Sequence, residues 1–380
     1  MKKSTKRIFG KIHLWLGLLI GLLVFILAIT GCIYAFQEEI QDYTQSYRHV
    51  KPENKPYLKP SDFQEIASRT LPGKNLHAIK YNGKSRSVEA IYYHYEPLYY
   101  YVAYLNPYTG EVLKVNNMEE GFFHFILDGH FYLWLPPEIG QPVVATVTVL
   151  FILMLLSGLI LWLPSKIRQL KSRLWFKWSK RTRWRRKNYD LHNITGIYAM
   201  LFGLFFAITG LNWGFPVFAE AYYKMLGGKQ ELLYTEPESQ PGLSLDPAKR
   251  PLNLVWEKMM KEYPNAVSIE VHPPETSLAP IAANANFEQG TYWKTDYRYF
   301  DQYSLKEMNV NHIFGQLKDQ KFADKVIRMN YDLHTGAIIG LPGKIIAFVA
   351  SLIIAILPVT GFMIWYGRRK KERRLGFSGS

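Results

Sequence analysis

Four histidines carry the chemistry legible in this sequence. His13 and His192 each precede a glycine by four residues, Gly17 and Gly196, and a threonine by seventeen, in Ala28-Ile-Thr30-Gly31 and Ala207-Ile-Thr209-Gly210. A residue four positions on lies on the same helix face. His130 and His334 each follow an aspartate by two, in Asp128-Gly-His130 and Asp332-Leu-His334, and Asp190-Leu-His192 repeats that pattern. Imidazoles facing each other from different helices are the axial ligands of a b-type haem, which also needs an apolar slot and small residues beside it. Cys32 is the single cysteine, so no Cys-x-x-Cys-His exists and covalent haem attachment is excluded.

The default role of one histidine at a helix end is interfacial, and Trp15 beside His13 fits that role too. What separates these four is their common register with a repeat. Gly17, Gly196, Ser157-Gly158 and Thr360-Gly361 would line a site for His13 and His192. Thr30-Gly31 and Thr209-Gly210 would line one for His334 with His130 or with His124, which lies six residues before His130 and competes with it. Asp128, Asp190 and Asp332 are candidates for orienting the rings. His49, His77, His94, His272 and His312 follow no repeat and read as ordinary surface residues.

The elements that must position these residues are membrane helices. Leu14 to Gln37, Pro142 to Pro164, Asn193 to Ala219 and Ile345 to Tyr366 hold no charged side chain. Each exceeds or matches the roughly 20 residues a helix needs to cross a hydrocarbon core. The repeat extends through them: Ser157-Gly158-Leu-Ile-Leu-Trp162 matches Thr360-Gly361-Phe-Met-Ile-Trp365. Ile29-Thr30-Gly31-Cys32 looks like a lipoprotein cleavage box. The apolar run continues past Cys32, however, and Thr209-Gly210 repeats the pair without a cysteine, so the first helix is expected to stay.

Charge sets the orientation. The net charge of +15 is concentrated in the first eleven residues, the loop from Lys166 to Lys187 and the tail from Arg368 to Arg374. The positive-inside rule places all three in the cytoplasm, with both termini inside. Nucleic-acid binding is not needed to explain a basic loop between two spans. The expected organisation is therefore a cytoplasmic N-terminus and first span over 1–37, an outer domain over 38–141 and a second span over 142–164. A basic loop over 165–191, a third span over 192–214 and a second outer domain over 215–343 follow. A fourth span over 344–366 and a basic tail over 367–380 complete the chain.

The outer stretches also repeat. Ser61 to Thr70 reads as a helix before Leu71-Pro72, and Leu252 to Glu262 as one before Tyr263-Pro264. Each leads into strands, ending in Asn106-Pro-Tyr-Thr-Gly-Glu-Val112 and in Phe300-Asp-Gln-Tyr-Ser-Leu-Lys-Glu-Met308. The first ending is a turn by composition. The tyrosine-rich run Tyr92 to Tyr101 reads as a hairpin with aromatic faces, in which cross-strand packing outweighs a role as a ligand dock. No phosphate loop, nicotinamide or flavin fingerprint, or Ser/His/Asp arrangement is present.

Together these motifs resemble the PepSY-associated transmembrane family, which includes bacterial inner-membrane ferric-siderophore reductases and other iron-uptake proteins. The carriers are His13-Leu-Trp-Leu-Gly17, His130-Phe-Tyr-Leu-Trp-Leu135, Asp190-Leu-His192, His334-Thr-Gly336 with Gly340-Leu-Pro-Gly343, and Val359-Thr-Gly361, while Asn106 to Val112 looks like the end of a PepSY domain. The second outer stretch departs by lacking an Asp-Pro-x-Thr-Gly ending. The resemblance implies a membrane all-α four-helix unit with two α+β extracytoplasmic PepSY-like domains, and haem b in reductase members. The expectation is a multi-pass protein of the bacterial inner membrane holding two haems. One would sit between His13 and His192, the other between His334 and His130 or His124. It would pass electrons from a cytoplasmic flavoprotein to a ferric siderophore, in contact with membrane lipid and with no nucleic acid. The rival expectation is a non-enzymatic membrane protein whose PepSY domains bind or regulate a periplasmic partner. A transporter subunit is a third reading, disfavoured by uncharged spans.

Overall fold

A computed structural model describes residues 3–241 and 250–376. Lys2 and the side chains of Lys3, Lys371, Arg373 and Arg374, which the charge reading includes, lie outside the described residues. The chain divides into two compact units. One comprises residues 1–37, 125–219 and 333–380, the other 38–124 and 220–332.

The first unit is helical. Among the described residues four helical segments are long and apolar enough to cross a membrane: Ser4–Tyr34, Pro137–Trp162, Trp184–Gly214 and Ala337–Lys370. Each begins before its uncharged stretch, because a helix keeps its internal hydrogen bonds beyond the apolar core; the first three end at Tyr34, Trp162 and Gly214, short of Gln37, Pro164 and Ala219, and the fourth runs on to Lys370. Helix α1 (Lys3–Tyr34) packs on α4 (Pro137–Trp162) and on α8 (Gly340–Gly376), and α5 (Gly196–Gly214) packs on the same two. The helices thus form a closed ring with α1 diagonal to α5. Small residues allow the close approaches: a Cβ on Gly21 would lie 3.3 Å from Pro358, and one on Gly203 3.2 Å from both Leu155 and Phe151. Ile20, Val24, Phe151, Leu155, Met200 and Ile354 fill the middle. Short helices α3 (Phe122–Phe131) and α7 (Asn330–Thr335) precede α4 and α8.

The second unit is one antiparallel sheet of eight strands, in the order β4-β3-β2-β1-β5-β6-β7-β8. The strands are β1 (Leu76–Tyr81), β2 (Val88–Tyr95), β3 (Leu98–Leu105), β4 (Val112–Asn117), β5 (Ser268–His272), β6 (Ile281–Asn286), β7 (Thr295–Phe300) and β8 (Glu307–Met308). The sequence reading treats the two polar stretches as two domains. The structure joins their meanders through β1 and β5, with Ile79 opposite Val271 and Lys80 opposite Glu270. Each stretch also supplies a helix, α2 (Pro60–Thr70) and α6 (Pro251–Glu262). Proline at the first turn starts both. Leu252, Val255, Trp256 and Met259 recur at helical spacing and are buried with Phe63, Ala67, Ile79, Val271 and Phe300 in one core. Each large side chain buried there contributes about 1.5–3 kcal/mol.

The two halves also share a turn that their sequences disguise. Asn106 Oδ1 accepts the backbone N–H groups of Tyr108 and Thr109 at 2.9 and 3.2 Å. Asp301 Oδ1 accepts those of Tyr303 and Ser304 at 3.0 and 2.7 Å. Gly110 closes the first turn at φ +74°, and Leu305 occupies the same place at φ +60°. The missing glycine changed the motif without changing the turn.

The tyrosine-rich run is a hairpin. Tyr92 pairs with Tyr101 and Tyr93 with Tyr100. Tyr92 and Tyr99 point into the core, where the Tyr92 hydroxyl donates to the Ala67 carbonyl at 2.9 Å.

Candidate functional site

The structure brings the histidines together as two pairs. The rings of His13 and His192 are 6.3 Å apart between centroids, at 73°. Those of His130 and His334 are 6.1 Å apart, at 62°. His13 comes from α1 and His192 from a π-helical turn, Leu191–Thr195, that leads into the diagonal helix α5. Such turns recur at functional sites. His130 and His334 come from α3 and α7. Seventeen residues of α1 separate His13 from Thr30, the seat of His130, so the pairs lie about 25 Å apart along the bundle.

All four rings are held alike. His13 Nδ1 lies 3.1 Å from the Met154 carbonyl and 3.1 Å from Ser157 Oγ on α4. His192 Nδ1 lies 3.1 Å from the Leu357 carbonyl and 3.0 Å from Thr360 Oγ1 on α8. His130 Nδ1 lies 2.9 Å from the Leu27 carbonyl and 3.2 Å from Thr30 Oγ1 on α1. His334 Nδ1 lies 2.8 Å from Thr209 Oγ1 on α5 and bonds the Phe206 carbonyl. Each hydroxyl already donates to its own helix, at Met154, Ile356 and Leu357, Ile26 and Leu27, or Phe205 and Phe206. It therefore accepts from the histidine, as does the carbonyl. Every Nδ1 carries the proton, and in the neutral ring every Nε2 is a bare lone pair.

The glycine after each hydroxyl completes the seat. A Cβ on Gly158 would lie 3.1 Å from His13 Cε1, and one on Gly361 3.1 Å from His192 Cε1. Gly31 and Gly210 stand likewise 3.0 Å from His130 and 3.4 Å from His334. The sequence reading assigned these glycines to clearance around a macrocycle; the structure uses them to admit the imidazole edges. Gly17 and Gly196 lie beside Met154 and Leu357, the residues whose carbonyls hold His13 and His192.

Two of the expected aspartates bind other groups. Asp190 accepts from Arg186 Nε at 2.9 Å and Trp178 Nε1 at 3.2 Å. Asp332 is fully buried and accepts the backbone N–H groups of Tyr292 and Trp293. Of the two candidates on α3, His130 forms the pair with His334, while His124 belongs to the sheet unit.

Could two imidazoles of this kind hold a metal? Nitrogens about 2.0 Å from one ion, on rings about 1.2 Å in radius, put the centroids about 6.4 Å apart. Both pairs are close to that spacing. Edge-to-face packing alone covers about 4.5–7 Å, so the nitrogen roles decide: both pairs offer neutral lone pairs fixed by the opposite nitrogen, the arrangement of metal-bound histidine. Among the described residues no three His, Cys, Asp or Glu side chains are placed to hold an ion. Any metal at these pairs must bring its remaining donors with it, as a porphyrin does.

The sheet unit holds a polar row that the sequence reading missed. Lys80 pairs across strands with Glu89 on one side and Glu270 on the other, and Asn284 stands beyond Glu270. Glu270 feels burial, which raises its pKa, but the His272 hydrogen bond, the His272 charge and Lys80 outweigh it and hold the carboxyl down at about 2. Lys80 loses solvation too, yet Glu89 and Glu270 push its pKa up. His272 is no isolated surface residue: its ring is 5.0 Å from that of His77. His312 is buried, 1 % exposed, among Tyr234, Tyr299 and Phe314.

The family sequence model described as PepSY-associated TM region matches residues 11–368. No curated protein matches the chain.

Proposed function

The chain belongs to the family of PepSY-associated transmembrane proteins, and we propose that it is a haem b-containing electron-transfer protein of a bacterial inner membrane. Both termini are cytoplasmic in this reading, and ferric siderophores or related iron chelates are reduced on the periplasmic side. The observation that carries it is the fourfold repetition of one seat. Four imidazoles donate through Nδ1 to a carbonyl and a hydroxyl, and they meet as two pairs.

His13 and His192 would hold one haem, His130 and His334 the other. A haem with two imidazole ligands supplies one-electron chemistry with little change of coordination. The chain's own part is positional. The Nδ1 hydrogen bonds fix each ring's tautomer and make Nε2 more basic. The apolar residues between the pairs keep water out of the bundle. The polar row of the sheet offers both charges and hydrogen-bonding groups to a chelate, and reduction weakens a hard-oxygen chelate because Fe(II) prefers softer ligands. The basic loop suits an acidic flavoprotein as donor.

The test is the visible spectrum of the purified protein, oxidised and dithionite-reduced, with a pyridine haemochrome count. Two low-spin b-type haems are expected, one lost in His192→Ala and the other in His334→Ala. Protein made with ample haem supply that carries none would overturn the proposal and favour a non-enzymatic protein that binds a periplasmic partner.

A further inference from the structure

The loop between the second and third spans carries tryptophans that the fold leaves unused. From Lys166 to Lys187 it holds eleven basic and no acidic residues, interleaved with Trp175, Phe176, Trp178 and Trp184. Orientation in a membrane accounts for the charges. It does not call for the indoles.

The loop is tied to the ends of the spans. Arg173 donates to the Trp162 carbonyl at the end of α4, and Lys6 donates to that of Leu163 at 2.9 Å. The Tyr198 hydroxyl, on α5, donates to the Leu174 carbonyl at 3.1 Å. Trp178 Nε1 donates to Asp190, just before the π-helical turn that carries His192. Tyr198 lies six residues past His192, within the span Trp184–Gly214, and a side chain on a helix leans toward the helix N-terminus. Leu174 is therefore level with the beginning of that span, and the chain from Leu174 to Trp178 runs along its edge.

Phe176 packs on Trp178 at 4.6 Å, and Lys187 lies over the Trp178 ring at 5.8 Å. Trp175 and Trp184 are different. They are 68 % and 60 % exposed, and among the described residues their indoles have no hydrogen bond or ring contact. The cations are as open. Among the described residues the only ion pair of the loop joins Arg186 to Asp190, while Lys171, Lys177, Lys180, Arg181, Arg183 and Arg185 are exposed without an anion.

We propose that this loop binds anionic phospholipid, with Trp175 and Trp184 set among the headgroups and the cations on the lipid phosphates. Indoles favour the membrane–water boundary, where the ring meets apolar surface and the N–H stays wet. Clustered Lys and Arg at that level attract anionic headgroups. An acidic protein would match the cations, but it leaves unexplained why bare indoles stand beside a span. The inference goes beyond the electron-transfer reading and does not depend on it.

The experiment places a nitroxide label on Trp175→Cys in purified full-length protein. The protein is held in nanodiscs of phosphatidylcholine alone or with phosphatidylglycerol. Collision of the label with a water-soluble nickel chelate is then measured. Phosphatidylglycerol is expected to lower that collision rate several-fold, and high salt to reverse the change, since exposed charges are screened. Lys180→Gln/Arg181→Gln/Arg183→Gln, with helical circular dichroism unchanged, is expected to remove most of the difference. A label equally shielded in both lipids would overturn anionic binding and leave anchoring by the aromatics alone. A label equally open to the chelate in both lipids would overturn the membrane placement and favour an acidic protein as the partner. The comparison of lipids needs no charge variant, so it decides even where the triple variant fails to fold.

Discussion

Gly361 and His192 touch edge to backbone: a Cβ on the glycine would lie 3.1 Å from Cε1 of the imidazole. The contact is tighter than ordinary packing, and the same glycine follows Thr360, whose hydroxyl takes the His192 Nδ1 proton. Gly361→Val is therefore expected to push the ring off its seat. In the haem reading the pyridine haemochrome count falls from two to one. Gly361→Ala, which asks for a shift of a few tenths of an ångström, retains both haems with a weaker site. A count of two in Gly361→Val would show that the seat is not needed.

The hydroxyls permit a finer test. Ser157→Ala removes one of two acceptors of the His13 Nδ1 proton and leaves the Met154 carbonyl. The ring becomes a weaker electron donor, so the haem it holds is easier to reduce. A hydrogen bond has a net worth of about 1 kcal/mol, so the midpoint potential is expected to rise by tens of millivolts. Potentiometry resolves such a shift, and an unchanged potential would place the Ser157 contact outside the electronics of the site.

His130 and His124 were equivalent by sequence, and the structure separates them by putting His130 against His334. His130→Ala is expected to remove one haem from the reduced spectrum. His124→Ala leaves both bands at wild-type intensity. The reverse result would reassign the ligand.

The histidines and their small-residue partners were legible because helices write their contacts at short, repeating spacings. Depth put Ser157-Gly158 at the site of His13 and His192, but the sequence could not show that it seats His13 and not His192, since that contact joins residues over a hundred apart. Pairing of β1 with β5 was hidden for the same reason: Ile79 and Val271 meet across about half the chain. Leu305 misled differently. Turn recognition rests on glycine at positive φ, and here a leucine takes that conformation with Asp301 bonding the backbone as Asn106 does. His312 was misplaced because one buried polar residue among aromatics leaves no periodic trace.

Two glycines at positive φ, Gly110 and Gly73, predict an asymmetry of tolerance. A Cβ on Gly110 would run into Ile66 and come within 3.0 Å of Leu58, at a φ of +74°. Gly110→Ala combines a left-handed residue, about 1–2 kcal/mol, with overpacking of about 1–3 kcal/mol. A thermal midpoint several degrees lower is expected from the sheet unit's circular dichroism. Gly73, also at positive φ, has nothing within 4 Å of its Cβ position, so Gly73→Ala should lower the midpoint by less than half as much.

Acid should loosen the sheet through Glu270. Its carboxyl is held at about 2 in the fold, against burial, by His272 and Lys80, whereas an unfolded glutamate titrates at about 4.3. A depressed folded pKa stabilises the fold above the unfolded value and ceases to do so as pH falls through the folded one. The contribution is complete at pH 6, declines below about pH 4.3 and is gone below about pH 2. Glu270→Gln should lower the thermal midpoint at pH 6 and make it fall less steeply between pH 5 and 2.5, because the side chain no longer takes up a proton. Equal slopes in wild type and variant would mean that another carboxylate governs the acid limb and that the Lys80–Glu270 pairing is not a source of pH-dependent stability.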